Sequence, residues 1–398
     1  MGIHCSSLRC CLPHREQEPP SQIPPAGGTP VFLPNDVIFD ILCRIPVKAL
    51  CRLRCVSREW CALICCPEFI AAHKSRRPAE PLIVVTSLGD KSLRLIDMDG
   101  CLVRVIKDMG MYWRPVCTGP DDVLLVTSYY EHIGYVAGVI DLATMKVLAT
   151  RLERSGGDNG WGIGRAVPSG ACKVVRFTPR LSEVFTVGDG AGWRQRKPLP
   201  SNNDHYYKLK RQTVAANGML YFLAETQPYG DISILRFDLE REEWKDAIKG
   251  PPNVKFRSTN LSLAELNDAL CMVQPQDIWN VIDGHMNIWL LLGSDKSTWV
   301  KAYTIPFDPC KYFQMVPLRV LDDGPKLLLC NMTWTGGAPK LQIYDPRYGT
   351  CIDATKKVLR DHIPTVNYNV SIGLCNMQLE HFVSPKIRRH SSLSEVFL

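Results

Sequence analysis

Hydrophobic positions along this chain change their period once. Between residues 31 and 75 they recur every three or four residues; beyond about residue 80 they come as short unbroken runs separated by turn residues. The first pattern predicts helices, the second strands. In the helical part, Val37, Ile38, Ile41, Leu42 and Ile45 follow one period, and Asn35 or Asp36 can cap a first helix running to about Cys43. Pro46 suits the first turn of a second helix, where its missing N–H costs nothing, and Val47, Leu50, Leu53 and Val56 form that helix's stripe. Ser57 can cap a third helix carrying Trp60, Leu63 and Ile64, and Pro67 starts a short fourth with Phe69 and Ile70.

About two thirds of positions 31–70 are apolar, against 45% for the whole chain. A segment of roughly 40 residues is too small to bury that many side chains by itself. The surplus must meet something else, most simply a partner protein.

The same stretch resembles the F-box. The resemblance rests on Leu33-Pro34-Asn35-Asp36, on Ile41-Leu42-Cys43-Arg44-Ile45-Pro46-Val47-Lys48-Ala49-Leu50, and on Val56-Ser57-Arg58-Glu59-Trp60 with Leu63-Ile64 and Pro67-Glu68-Phe69. Cys61 and Cys66 depart from it, standing where polar residues are more usual. The resemblance implies docking onto a Skp-type adaptor, and through it onto a cullin-based ubiquitin ligase. Leu33, Pro34, Ile41, Leu42, Pro46, Leu50, Leu53, Val56 and Trp60 are the residues expected to carry that docking.

In the strand-like part, one apolar run recurs: Leu82-Val85, Val123-Val126, Lys173-Phe177, Met219-Leu223, Ala269-Val273 and Leu327-Cys330. The spacing of roughly 40 to 58 residues is that of kelch or WD-type propeller blades. A second apolar run follows each first one, often ending in Asp and a turn, as in Leu95-Ile96-Asp97, Val139-Ile140-Asp141, Arg236-Phe237-Asp238 and Ile343-Tyr344-Asp345. These Asp residues are expected to accept backbone hydrogen bonds in the turns rather than to serve catalysis. Each unit reads as a small antiparallel sheet that packs against its neighbours. The fold class expected is therefore α+β multidomain: a small N-terminal three-helix module followed by an all-β propeller of about six blades. Lys173-Phe177, Glu183-Gly188 with Trp193, Asn217-Phe222 and Leu235-Glu240 also resemble the F-box-associated region common in plant F-box proteins. That resemblance implies a kelch-like propeller that captures a substrate protein.

Composition adds limits. The 398 residues accommodate two domains plus tails, divided as a disordered leader at 1–30, the F-box at 31–75, the propeller at 80–384 and a disordered tail at 385–398. The net charge of +7 is spread along the chain with no basic stripe interleaved with aromatics, so nucleic acid is not an expected partner. The 17 cysteines include no C-x-x-C pair and read as reduced thiols, with no metal expected and a cytoplasmic or nuclear location. The leader has two readings. Gly2 fits a myristoylation pattern and Cys5 sits where a second acyl chain could be added, which would give weak membrane association and a membrane-anchored fraction. The other reading is a plain unstructured leader.

No phosphate-binding loop, zinc-protease helix or serine-hydrolase elbow occurs in the sequence. Gly160-Trp161-Gly162-Ile163-Gly164 reads as a glycine-rich loop, and no cofactor is expected. The binding anchors expected instead are tryptophans on propeller loops: Trp113, Trp161 and Trp334. The expected function is the substrate-recognition subunit of an SCF-type (Skp–cullin–F-box) ubiquitin ligase, non-catalytic in itself. Its rivals are a propeller enzyme or glycan-binding module with a structural helical N-terminus, and an adaptor-bound scaffold that degrades nothing.

Overall fold

The computed structural model describes residues 33–76 and, between 80 and 377, the strands and the tighter turns. Residues 1–32, 77–79, 360–369 and 378–398, together with several inter-strand segments, lie outside the description. Gly2, Cys5 and Trp113 are among the residues left outside it.

Four helices form the N-terminal bundle: α1 (Asn35–Cys43), α2 (Val47–Leu53), α3 (Arg58–Cys65) and α4 (Pro67–Arg76). Two prolines stand one place outside the helices they start, where the sequence reading caps α1 with Asn35 or Asp36 and puts Pro46 inside the first turn of α2. Pro34 and Pro46 occupy the N-cap positions of α1 and α2 with no side-chain cap hydrogen bond. The Pro34 carbonyl instead accepts from the N–H groups of Val37 and Ile38, at 3.0 and 3.1 Å. Neither Asn35 nor Asp36 is the cap, because the fixed φ of the preceding proline already sets the helix entry. Ser57 does cap α3, its Oγ accepting from the Trp60 N–H at 3.1 Å. Leu42, Cys43, Val47, Leu50, Ile64 and Phe69 make the bundle's core. Phe39 packs edge-on against Phe69 with ring centroids 5.2 Å apart.

The remainder is six four-stranded antiparallel sheets. The first blade holds β1 (Glu80–Ser87), β2 (Ser92–Asp97) and β3 (Leu102–Ile106). The second holds β4 (Arg114–Thr118), β5 (Val123–Tyr130), β6 (Gly134–Asp141) and β7 (Lys146–Glu153). In the third are β8 (Gly160–Arg165), β9 (Cys172–Thr178), β10 (Leu181–Thr186) and β11 (Trp193–Arg196), and in the fourth β12 (Tyr206–Ala216), β13 (Met219–Gln227), β14 (Asp231–Asp238) and β15 (Glu243–Lys249). The fifth runs β16 (Ser262–Leu266), β17 (Ala269–Gln276), β18 (Gly284–Leu292) and β19 (Thr298–Phe307). The sixth runs β20 (Tyr312–Val320), β21 (Leu327–Thr333), β22 (Lys340–Asp345) and β23 (Thr350–Asp353), and the short α5 (Thr355–Val358) follows it. The last strand, β24 (Val370–Met377), returns to pair with β1 and makes the fourth strand of the first blade.

Contacts between β4, β8 and β12, between β12 and β16, between β16 and β20, and between β24 and β4 put the leading strand of each sheet at the centre. The core lies between blades rather than within them. Leu82 and Val84 of β1 pack with Leu124 and Val126 of the second blade, while the alternate residues Ile83 and Val85 pack with Cys330 and Leu341 of the sixth. A strand with both faces buried needs apolar side chains at every position. That is why the recurring runs in the sequence are unbroken. Each such run is the second strand of its blade, and the run ending in Asp is the third.

The glycine-rich stretch expected as a loop is strand β8, the innermost strand of the third blade. Its glycines serve close approach. A Cβ on Gly162 would stand 2.6 Å from Cγ2 of Thr213 and 2.9 Å from Cδ1 of Leu220, both on the fourth blade. Blades three and four meet here with no room for side chains.

Candidate interaction surfaces

The helical bundle leaves apolar side chains bare. Leu33, Val37 and Ile41 are 52%, 41% and 47% exposed and stand four residues apart along α1 and its entry; Val56, just past α2, is 63% exposed. Pro34 and Pro46 are exposed as well, while Leu53 and Trp60 are half-buried. Leu42 and Leu50 behave differently from the other expected docking residues, being 1% and 0% exposed inside the bundle's own core. They hold the surface in shape from beneath. Val37 lies on this surface although the docking set expected from sequence does not include it. The signal for it was present: it stands one turn before Ile41, on the opposite side of α1 from Leu42. Full burial of each exposed aliphatic side chain by a partner would contribute about 1.5–3 kcal/mol.

The rim of this surface is charged and fixed. Asp40 pairs with Arg76 and with Arg44, the latter at 2.8 Å. Hydrogen bonds from those two guanidinium groups hold the Asp40 carboxyl below the usual aspartate range. His73, buried in the bundle, has its Nε2 3.0 Å from the Ile45 carbonyl and so ties α4 to the end of α1.

On the propeller, the aspartates at the strand ends do what short turn aspartates do. Oδ1 of Asp97 accepts from the N–H groups of Asp99 and Cys101, that of Asp238 from Glu240 and Arg241, and that of Asp345 from Arg347. Tryptophans are used in two ways. Trp161 lies on β8, 7% exposed, edge-on to Trp193 at 5.9 Å, and is a core residue rather than a loop anchor. The sequence expectation for it fails because its flanking glycines mark strand packing, not a loop. Trp244 and Trp299 likewise join blades: their indole N–H groups donate to Ser182 Oγ and to the Lys249 carbonyl of the preceding blade, both at 3.0 Å.

Trp334 is different. It follows β21, is 56% exposed, and is held in place rather than loose. Its indole N–H donates to the Pro309 carbonyl at 2.8 Å, and its ring lies 5.4 Å from that of Phe313. Beside it, between the fifth and sixth blades, is a pocket of about 520 Å³ lined by His285, Asp308, Lys311, Tyr312, Asn331 and Gln342 among others. At the opposite ends of the strands, between the fourth and fifth blades, a larger cleft of about 790 Å³ is lined by Tyr221, Arg236, Asp238, Lys245, Leu270 and Leu291 among others. Neither concavity was visible in the sequence, because each is assembled from residues on different strands that lie far apart in the chain.

Among the described residues no group of three or more His, Cys, Asp or Glu is arranged to hold a metal, and no helix is long and apolar enough to cross a membrane. The cysteines described are free thiols, and burial pushes those of Cys271 and Cys330 up to about 12, where they stay protonated.

A helical bundle with a bare apolar side, joined in one chain to a closed six-bladed ring, defines a two-module class: a small helical domain followed by a β-propeller. Comparison with known families gives both modules their identity. A model of the F-box domain matches residues 32–71, and a model of the F-box associated beta propeller domain matches residues 169–362. F-box protein At5g10340 of Arabidopsis thaliana is 24% identical over 351 residues, covering 76% of each chain. F-box protein At5g49610 of the same plant is 23% identical over 295 residues, covering 67% of this chain and 77% of its own. Among solved structures, the Cps50 (Swd1) beta-propeller domain of Myceliophteria thermophila is a remote likeness, with a TM-score of 0.38 and 11% identity over 70% of this chain and 86% of that one. The chain is a plant-type F-box protein with an associated β-propeller.

Proposed function

We propose that this chain is the substrate-recognition subunit of an SCF-type ubiquitin ligase. The F-box docks a Skp-type adaptor, which links it to a cullin, and the propeller holds a target protein. The observation that carries the reading is the bare row Leu33, Val37 and Ile41 with Val56, on a segment matched by the F-box model. A folded domain this small that leaves four large aliphatic side chains open to water is completed by a partner. Holding the target beside the ligase's charged ubiquitin makes the transfer effectively intramolecular. Such a subunit positions the reactants and supplies no nucleophile of its own.

Co-purification tests it. The wild-type chain, expressed with a Skp-type adaptor, is expected to bring that adaptor down. Leu33→Ala with Ile41→Ala removes exposed surface without touching the bundle's core, so the variant is expected to fold and to lose the adaptor. Retention of the adaptor by a folded double variant would overturn the reading.

A further inference from the structure

The pocket between the fifth and sixth blades has a chemistry of its own. Its one described cation, Lys311, is neutralised by Asp308 at 2.7 Å, and that carboxylate also accepts the backbone N–H groups of Cys310 and Lys311. The charges cancel, and no arginine is among the described lining residues. Recognition of a phosphorylated or strongly acidic motif needs a cluster of uncompensated arginine or lysine. What the pocket offers instead is a set of neutral polar groups: His285, Tyr312, Gln342 and Asn331.

Asn331 is the most telling of these. It is 1% exposed; its Nδ2 donates to Gln342 Oε1 at 2.6 Å, while its Oδ1 has no hydrogen-bond partner among the described residues. A buried acceptor left unpaired is costly, and a donor brought into the pocket would satisfy it. The rim adds an apolar platform. Trp334 is fastened to the 308–311 turn by its indole N–H to Pro309 and its backbone N–H to Lys311, so its exposed ring is pre-positioned. A fixed, exposed tryptophan beside a polar pocket is the arrangement of a binding hot spot.

We infer that this pocket, with Trp334 at its edge, binds an unphosphorylated, uncharged peptide segment of the substrate. The segment lays an apolar side chain on Trp334 and brings a hydrogen-bond donor to Asn331. The volume of about 520 Å³ lies within the range of roughly 300–1,000 Å³ for ligand pockets. This inference rests on the receptor reading above and specifies the substrate class.

The test uses the full chain co-purified with its Skp-type adaptor. It is screened against an array of random end-capped nonapeptides, printed in duplicate with serine and with phosphoserine at the centre, and the best binders are titrated by fluorescence anisotropy. Uncharged serine peptides with an aromatic or aliphatic residue are expected to win. Trp334→Ala is expected to weaken them about tenfold, with Trp334→Phe losing less. Gln342→Ala, which removes the group that orients Asn331, is expected to weaken them also and, because it leaves Asn331 Nδ2 unpaired, to lower the thermal transition, whereas Trp334→Ala is expected to keep the wild-type transition. Preference for the phosphoserine arm, indifference to Trp334→Ala, or no peptide binding tighter than about 1 mM would overturn the inference. If the adaptor co-purifies and no peptide binds, the pocket assignment fails and the receptor reading stands. If the adaptor does not co-purify, the receptor reading fails and the chain alone goes through the same screen.

Discussion

Glu242 shows how much one residue does between blades. It sits in the turn between β14 and β15 with φ of 56°, a left-handed conformation that costs an ordinary side chain about 1–2 kcal/mol. Its carboxylate is nearly enclosed and receives Lys173 at 2.9 Å, Arg194 at 2.9 Å, and Arg196, all from the third blade. Burial would raise its pKa, but the hydrogen bonds from those three cations outweigh burial and hold it below the ordinary glutamate value. A carboxyl with a depressed folded-state pKa contributes stability that is complete above its unfolded value, near 4.3, and is lost as pH falls through the folded one. Glu242→Gln is expected to cost about 2 kcal/mol at pH 7, at the low end for an enclosed pair because Arg194 and Arg196 are partly screened by water. In urea titrations repeated from pH 7 down to pH 3, the gap between wild type and variant is expected to close in acid. A gap that persists unchanged would assign the cost to packing instead. None of this was legible in the sequence: Glu242 is one of three glutamates within four residues, Glu240, Glu242 and Glu243, and only the neighbouring blade singles it out. The strand-end aspartates, by contrast, were legible, because their partners lie two to four residues away.

At the scale of elements, burial decided what could be read. The second strands of the blades, and most of the third, are buried on both faces and stood out as apolar runs, Leu82-Val85 and Val139-Asp141 among them. The leading strands face the centre of the ring, and their sequences hide them: β12 carries Lys208, Lys210, Arg211 and Gln212 in its middle, and β8 is half glycine. The outer strands, such as β23 with Ile352 64% exposed, have lost their pattern to solvent. For β8 the glycines carry a measurable consequence. Gly162→Ala places a methyl group 2.6 Å from Thr213 and 2.9 Å from Leu220, and these neighbours are buried core atoms rather than flexible chain ends. Overpacking of this kind costs about 1–3 kcal/mol. The alanine variant is expected to lower the thermal midpoint of the propeller while leaving adaptor co-purification intact, since the F-box lies elsewhere in the chain. An unchanged midpoint would mean that the third and fourth blades move apart freely. The helical bundle was easier to read because its helices are local: Ser57 and Pro67 marked their starts, and only the proline caps of α1 and α2 departed from expectation.

At the scale of the whole molecule, six blades form a ring only if the last meets the first, and two independent devices do this. Ile83, Val85 and Ile96 of the first blade share a core with Cys330, Leu341, Val358 and Leu359 from the sixth blade and the helix after it. The chain also crosses back, so that β24 pairs with β1 from Glu80 against Met377 to Ser87 against Val370. Without β24, β1 would become an open edge along its whole length and the ring would lose a central strand that touches β4. A chain ending at Asn369 is therefore expected to unfold over a broader urea range, with a smaller slope than the full chain, and to associate as its concentration rises. A chain ending at Glu380 keeps β24 and is expected to unfold like the full protein, which separates loss of the strand from loss of the tail. Adding a synthetic peptide of residues 370–377 to the shorter chain is expected to restore part of the slope, because an extended segment can add to an exposed strand edge. If the chain ending at Asn369 unfolds as sharply as the full one, the interblade core alone closes the ring and β24 is only its cover. The distinction matters for function: a pocket built from two blades, like that between the fifth and sixth, depends on those blades keeping their relative positions.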